Sequence, residues 1–125
     1  MKVILAPVSI GELIDKITIL QIKEKHMDGT KLKNIQKELN YLNQVCKDNQ
    51  IKVKDEYIEK LREINSDLWK IEDQIRALES KKNFSNQFIE LARSVYLMND
   101  KRAAAKKELN IQYGSDLIEE KLYSN

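Results

Sequence analysis

Very little in this chain would interrupt a helix: three glycines and one proline in 125 residues. So few breakers argue against a domain of many short strands, which needs a turn every few residues. The chain has one cysteine, Cys46, and one histidine, His26. An internal disulfide is therefore excluded, a zinc site of the usual Cys/His type cannot be assembled, and a reducing, cytoplasmic setting fits. No apolar run approaches the ~20 residues that a membrane helix needs. The stretch from Val3 to Ala6 after Lys2 is too short for the core of a secretion signal and lacks a small-residue cleavage site. Neither export nor membrane attachment is expected. Charge of one sign is missing too: 22 Lys and Arg stand against 20 Asp and Glu. The two signs are interleaved, so the basic footprint of a nucleic-acid partner is not there. A Gly-rich phosphate loop, a nucleophile–His–acid set and an EF-hand pattern are likewise missing, and no metal or cofactor is expected.

What is present is helical periodicity on a chain sized for a single domain, residues 1–125. Ser9-Ile10-Gly11-Glu12 reads as a capping box, with Ser9 capping an amide and Glu12 reaching back. The first helix follows, with Ile10, Leu13, Ile14, Ile17 and Leu20 at helical spacing, and Ile19 and Ile22 widening the stripe. It is the most buried of the set. Asp28-Gly29-Thr30 ends it, with Gly29 in a left-handed turn and Thr30 capping the next helix. Leu32, Ile35, Leu39, Leu42 and Cys46 then recur at three-four spacing. Tyr57, Leu61, Ile64, Leu68, Ile71, Ile75 and Leu78 continue it at four-three. These are heptad seams, and the short connection from Asp48 to Lys54 predicts an antiparallel hairpin of the second and third helices. Ser85 caps a fourth helix running to about Gln112, with Phe84 stapled on Ile89 and Gly114 as the stop. The expected fold is all-α: an antiparallel up-down four-helix bundle with a long coiled-coil-like helical hairpin. Short terminal strands at Val3–Ala6 and Leu117–Tyr123 are the one β-element the chain has room for.

The fourth helix carries the most informative pattern. Its inward stripe starts with Phe88, Ala92 and Val95 and continues at the same spacing as Asn99, Arg102 and Lys106. Burying such groups unpaired costs several kcal/mol, so they need partners or water. On the third helix Asn65, Trp69, Glu72, Arg76 and Glu79 share one strip beside the heptad seam, and an antiparallel pairing brings Asn65 and Trp69 toward Asn99 to Arg102. Only four of the 22 basic residues are arginine, which makes Arg76, Arg93 and Arg102 better pointers to a site that needs a planar fork. Two main readings of the strip stay open. In one, Glu72, Arg76, Arg93, Asp100 and Arg102 form inter-helix salt bridges that fix register. In the other, Arg102 and Lys106, with Arg76 or Arg93, hold a phosphate or carboxylate while Asn99 and Asp100 orient a polar ligand. A protein-binding surface is a third use of the strip. Glu12 and Lys16 are spaced for a surface pair and can also turn inward beside it. His26 reads as a charge complementing the helix dipole, Cys46 as inert packing, and Trp69 as a core-edge residue.

Several segments are familiar together: APVSIGELIDKITIL from Ala6 to Leu20, LWKIEDQIR from Leu68 to Arg76 with Glu79, FIELARSVY from Phe88 to Tyr96, and NDKRA from Asn99 to Ala103. On these the whole chain resembles a family of small bacterial proteins of unknown function. That resemblance implies no activity, substrate or cofactor. Its characteristic segments include both the polar strip and the Ser9–Lys16 cap.

Two functions from different classes follow. The first is a non-catalytic helical module that binds another protein or self-associates, since the heptads are regular and no catalytic set is recognisable. The second is a site, or an enzyme, for a small anionic or phosphorylated ligand. Small bundles with inward Arg, Lys and Glu can catalyse by charge placement alone, as chorismate mutase does. The chain is loosely similar to that enzyme, though its first helix lacks arginine.

Overall fold

The computed structural model describes residues 2–122. It contains four helices, α1 (Ile10–His26), α2 (Gly29–Asp48), α3 (Asp55–Ser80) and α4 (Asn86–Gln112). They pack against one another as an all-α bundle. No strand occurs among the described residues. Val3, Ile4 and Leu5 are exposed in irregular chain. From Leu117 onward the described tail is irregular too, and Tyr123 lies outside the described residues. The tail is held by Glu119 on Lys106 and Glu120 on Lys107, and by Ser115 Oγ donating to the Leu117 carbonyl at 2.8 Å.

α1 is the hub. It approaches all three other helices, while α2 approaches α1 alone and α3 and α4 pair most extensively. The cause is visible in α1 itself, where Leu13, Ile14, Ile17, Leu20 and Ile22 are all buried and spread around most of the circumference. A helix apolar on nearly every side is stable only when covered on nearly every side. The expected close pairing of α2 with α3 is therefore not what forms. The apolar stripe of α2, Ile35 and Leu39, joins the core beside α1, and the long hairpin of the molecule is α3 with α4.

The core lies at one end of that hairpin. α3 contributes Leu61, Ile64 and Leu68, and α4 contributes Ala105 and Leu109. Leu61 and Leu109 are fully buried. Between Trp69, which stacks on His26 of α1, and Met98, which packs against the core, no residue is buried, so residues 70–97 of α3 and α4 stand clear of the base as a two-helix arm. Beneath the core, Tyr57 and Tyr113 meet edge to face with ring centres 5.6 Å apart. The Tyr113 hydroxyl accepts from the Lys54 amide at 2.8 Å, which pins the α2–α3 connection to the end of α4. Cys46 is half-buried against the core, and burial pushes its thiol pKa up, away from reactivity.

The caps follow the expectations in part. Ser9 Oγ accepts from the Glu12 amide at 3.0 Å, but Glu12 does not reach back, because its carboxylate is held by Lys106. The cap position of α2 is Asp28, so Thr30 lies inside the helix, and Gly29 supplies the left-handed φ of +59°. Ser85 caps α4 by position without a side-chain bond. Phe84 packs edge-on against Phe88.

Candidate functional site

The N-terminus of α1 meets the C-terminal half of α4, and this junction gathers most of the buried polar groups. A Cβ on Gly11 would lie 2.6 Å from the Lys106 carbonyl oxygen, so glycine is what lets the two helices come this close. The approach brings α4 side chains onto the orphan amides of α1. Gly11 N–H donates to Asn110 Oδ1 at 2.6 Å, and Ile10 N–H donates to Ser115 Oγ at 3.2 Å. With Ser9 taking the Glu12 amide, each donor that a helix start leaves unpaired here finds an acceptor. Ser115 reaches that place through the turn that closes α4. Gly114 has φ +65°, and the Ser115 amide donates to the Asn110 carbonyl at 2.9 Å.

One turn further along α1 sits Asp15, which is 0% exposed. Arg102 reaches it from α4 with Nε 3.0 Å from Oδ1 and 3.1 Å from Oδ2, while Nη2 also donates to Oδ2. Asn65 of α3 donates its amide to Asp15 Oδ1 at 2.8 Å and to Thr18 Oγ1 at 3.0 Å. Thr18 Oγ1 in turn donates to the Asp15 carbonyl at 2.7 Å. One carboxylate thus ties α1, α3 and α4 together. The hydrogen bond to Asp15 is the main cause that raises the Arg102 pKa further above its ordinary value.

Lys106 lies beside this set, nearly buried, with Nζ 2.8 Å from Glu12 Oε2 and 2.8 Å from Glu119 Oε2. Burial alone would lower its pKa, but the hydrogen bonds to Glu119 and Glu12 outweigh it and the net shift is upward. Glu119 is shifted downward, chiefly by the hydrogen bond from Lys106. Together the junction holds Arg102 and Lys106 against Asp15, Glu12 and Glu119, two cations facing three carboxylates.

Of the residues that the sequence singled out, Arg102, Lys106 and Glu12 meet here, joined by Asn65 from the third-helix strip. The others lie elsewhere. Lys16 is on the outer face of α1, paired with Glu38 of α2 at 2.9 Å rather than with Glu12. Arg93 pairs with Glu90 on its own helix at 3.2 Å, both exposed. Glu72 and Arg76 are exposed on the arm, and neither bridges to α4 among the described residues. Asn99 and Asp100 are half-buried at its root. Trp69 belongs to a separate feature, stacked on His26 with ring centres 4.7 Å apart. The inter-helix bridges that do form are Arg102–Asp15, Lys106–Glu12, Lys60–Glu108 and Lys16–Glu38.

Asp15, Asn110, Ser115 and Glu119 were missed. For Asp15 the signal was available: Gly11, Asp15 and Thr18 recur at four-three spacing on a face flanked by the apolar Ile14 and Ile19. A polar residue there has almost no solvent side to occupy. Asn110, Ser115 and Glu119 carry no comparable mark, because their roles depend on how α4 meets a distant segment.

A four-helix, all-α bundle whose base is locked by buried charge and helix-capping side chains is the class that these features define. The chain belongs to a family of unknown function, DUF6165, whose model matches residues 1–125. No curated protein and no solved structure matches it. Among the described residues no group of His, Cys, Asp and Glu could hold a metal ion, and no helix is long and apolar enough to cross a membrane.

Proposed function

We propose that this chain is a non-catalytic helical interaction module, acting in the cytoplasm, that engages another protein chain through the free arm of α3 and α4. The observation that carries the reading is the apolar surface of the arm. Ile71, Ile75 and Leu78 of α3 and Phe88, Leu91 and Val95 of α4 are partly but not fully buried. Phe84, Ile89, Tyr96 and Leu97 are exposed, Tyr96 to 55%. A scattered apolar residue on a surface needs no explanation, but a run along one two-helix element marks a contact surface. In the base, α1 covers the equivalent part of the hairpin. In the arm nothing among the described residues does.

An anion site on Arg102 and Lys106 has less support. Both cations already face carboxylates, and the cluster carries more negative than positive groups, so an incoming phosphate would meet repulsion.

The test is sedimentation velocity over a wide concentration range, paired with affinity capture, on wild type and on the Ile89→Glu/Tyr96→Glu double variant. The expected result is self-association or a captured partner in wild type that the variant loses while keeping its helical content. A strict monomer whose captured proteins are the same for both chains would refute the reading.

A further inference from the structure

The face of the α3–α4 hairpin that α1 covers in the base can be followed out along the arm. On α3 its strip is Asn65, Trp69, Glu72, Arg76 and Glu79, at four-three-four-three spacing. Asn65 bonds to Asp15 and Thr18 of α1, and Trp69 stacks on His26, the last residue of that helix. On α4, Asn110, Lys106 and Arg102 meet α1. The same stripe continues outward through Asn99, Tyr96, Ala92 and Ile89. Beyond His26 the face is bare among the described residues. Ile89 is 50% exposed and Tyr96 55%, and Glu72, Arg76 and Glu79 are exposed with no hydrogen bond or ion pair there.

The charges on this face are complementary to themselves. Glu72 and Arg76 lie one turn apart with opposite signs. A second copy of the strip, running the other way, sets Glu72 of each chain against Arg76 of the other. A two-fold contact has this reciprocity by necessity: where i meets j, j meets i. The direction follows from α1, which stands on the face as far as Trp69. Two copies laid parallel would meet α1 against α1, each about 10 Å thick, and hold their arms apart. The arms touch only when antiparallel. With Glu72 opposite Arg76, the axis passes by Gln74. Lys60 with Glu108 and Tyr57 with Tyr113 set the register of the hairpin, which puts Gln74 about level with Val95. Tyr96 then sits beside the axis and meets its own image, an aromatic pair on an apolar strip. We propose that this face is the contact surface of a two-fold homodimer with antiparallel arms, Glu72 and Arg76 pairing reciprocally and Tyr96 packed on its image. The inference rests on the reading of the arm as a contact surface and names its partner as a second copy of this chain. Apolar contact supplies the affinity, while the ion pairs choose orientation and partner.

The experiment is sedimentation velocity of the full chain from about 1 to 500 µM. It compares wild type with Glu72→Arg, Arg76→Glu and the exchange Glu72→Arg/Arg76→Glu, all at exposed positions, with circular dichroism to confirm that each keeps its helices. Wild type is expected to dimerise. Each single variant turns both reciprocal pairs from attraction to repulsion and should weaken the dimer about tenfold. The exchange restores opposite signs and should dimerise as wild type does. An equimolar mixture of the two single variants should form a heterodimer tighter than either homodimer. A wild type that stays monomeric throughout would overturn the proposal. So would single variants that dimerise like wild type, or an exchange and a mixture that fail to recover. The reading of the arm falls separately. It survives a monomeric wild type if Ile89→Glu/Tyr96→Glu loses a captured protein that wild type retains, and it fails when that loss is absent too.

Discussion

At the scale of single residues, Asp15 decides more of this structure than any other charged group. Its carboxylate is fully buried and accepts from two helices at once. A buried ion pair adds little compared with a well-packed apolar pair, but removing one member leaves the other without its partner. Asp15→Ala should therefore lower stability by about 3 kcal/mol, the low end of the ~3–5 range for buried pairs, because Arg102 at 27% side-chain exposure can turn to water. Chemical denaturation of Asp15→Leu, Arg102→Met and the double variant checks the origin of the loss. If the pair is the cause, the double variant loses clearly less than the sum of the singles. Gly11 offers a second case. An added Cβ meets the Lys106 carbonyl at 2.6 Å, and a backbone atom cannot swing aside. Gly11→Ala gains helix propensity of up to ~1 kcal/mol, yet should still be net destabilising by roughly 1–3 kcal/mol in thermal melts, since α1 and α4 must part.

At the scale of elements, the helices start and stop where local chemistry says they should, with two exceptions that are themselves testable. α2 and α3 both end in the same closing turn as α4, with the Ile51 amide on the Cys46 carbonyl and the Asn83 amide on the Leu78 carbonyl, each at 2.9 Å. The turn needs a left-handed residue, and here it is Gln50 at φ +53° and Lys82 at φ +52° instead of glycine. A side chain in that region costs about 1–2 kcal/mol, partly offset by the freedom that glycine loses on folding. Gln50→Gly and Lys82→Gly should each stabilise the protein by roughly 0.5–1 kcal/mol, read as a rise of a few degrees in Tm. The same elements show what periodicity can and cannot reveal. All four helices, the Ser9 cap and the Gly114 stop were legible, because each depends on neighbours within a turn or two. Which helices pair was not. The heptads of α2 and α3 say that each has an apolar stripe, not where that stripe goes, and α1 claims α2 because it has more apolar surface to cover. The candidate site divides in the same way. Polar residues on the α4 stripe, Arg102 and Lys106, could be marked from spacing, whereas Asn110 and Ser115 act on amides about 100 positions away in sequence.

At the scale of the whole molecule, charge and apolar contact divide the work unevenly. In the base, the tail is fastened to α4 by carboxylates, so its attachment responds to pH. Glu119 has a depressed folded-state pKa. Its contribution is therefore present above the unfolded value of about 4.3 and is lost as pH falls through the lower folded value. Lys106 is shifted up, so its contribution persists through neutral pH and is lost only in strong alkali. Acidification from pH 6 to pH 3 should release residues 116–122 before the core opens, seen as faster proteolysis of the tail with helical content largely kept. Glu119→Gln should show that faster cleavage already at pH 6.

The arm has the opposite character, since residues 70–97 include no buried residue and none of the hydrophobics packed against the core. Removing one heptad from each strand of the hairpin, Asp73–Glu79 and Phe88–Ser94, keeps the seam in register because the two cuts match in helical phase. None of the excised side chains touches Asp15, Arg102 or Lys106 through a hydrogen bond or ion pair among the described residues. The shortened chain should melt within a few degrees of wild type, whereas an equal loss of buried apolar residues from the base would unfold it. Calorimetry on the shortened chain separates two accounts of why the arm is there. If Tm falls by much more, the arm is a structural extension of the core. If the fold survives and association disappears, the base is a scaffold and the arm is the part that meets a partner. The packing favours the second outcome, because a hairpin built only to stabilise would bury its seam fully, and this one leaves Ile75, Leu78 and Val95 partly exposed.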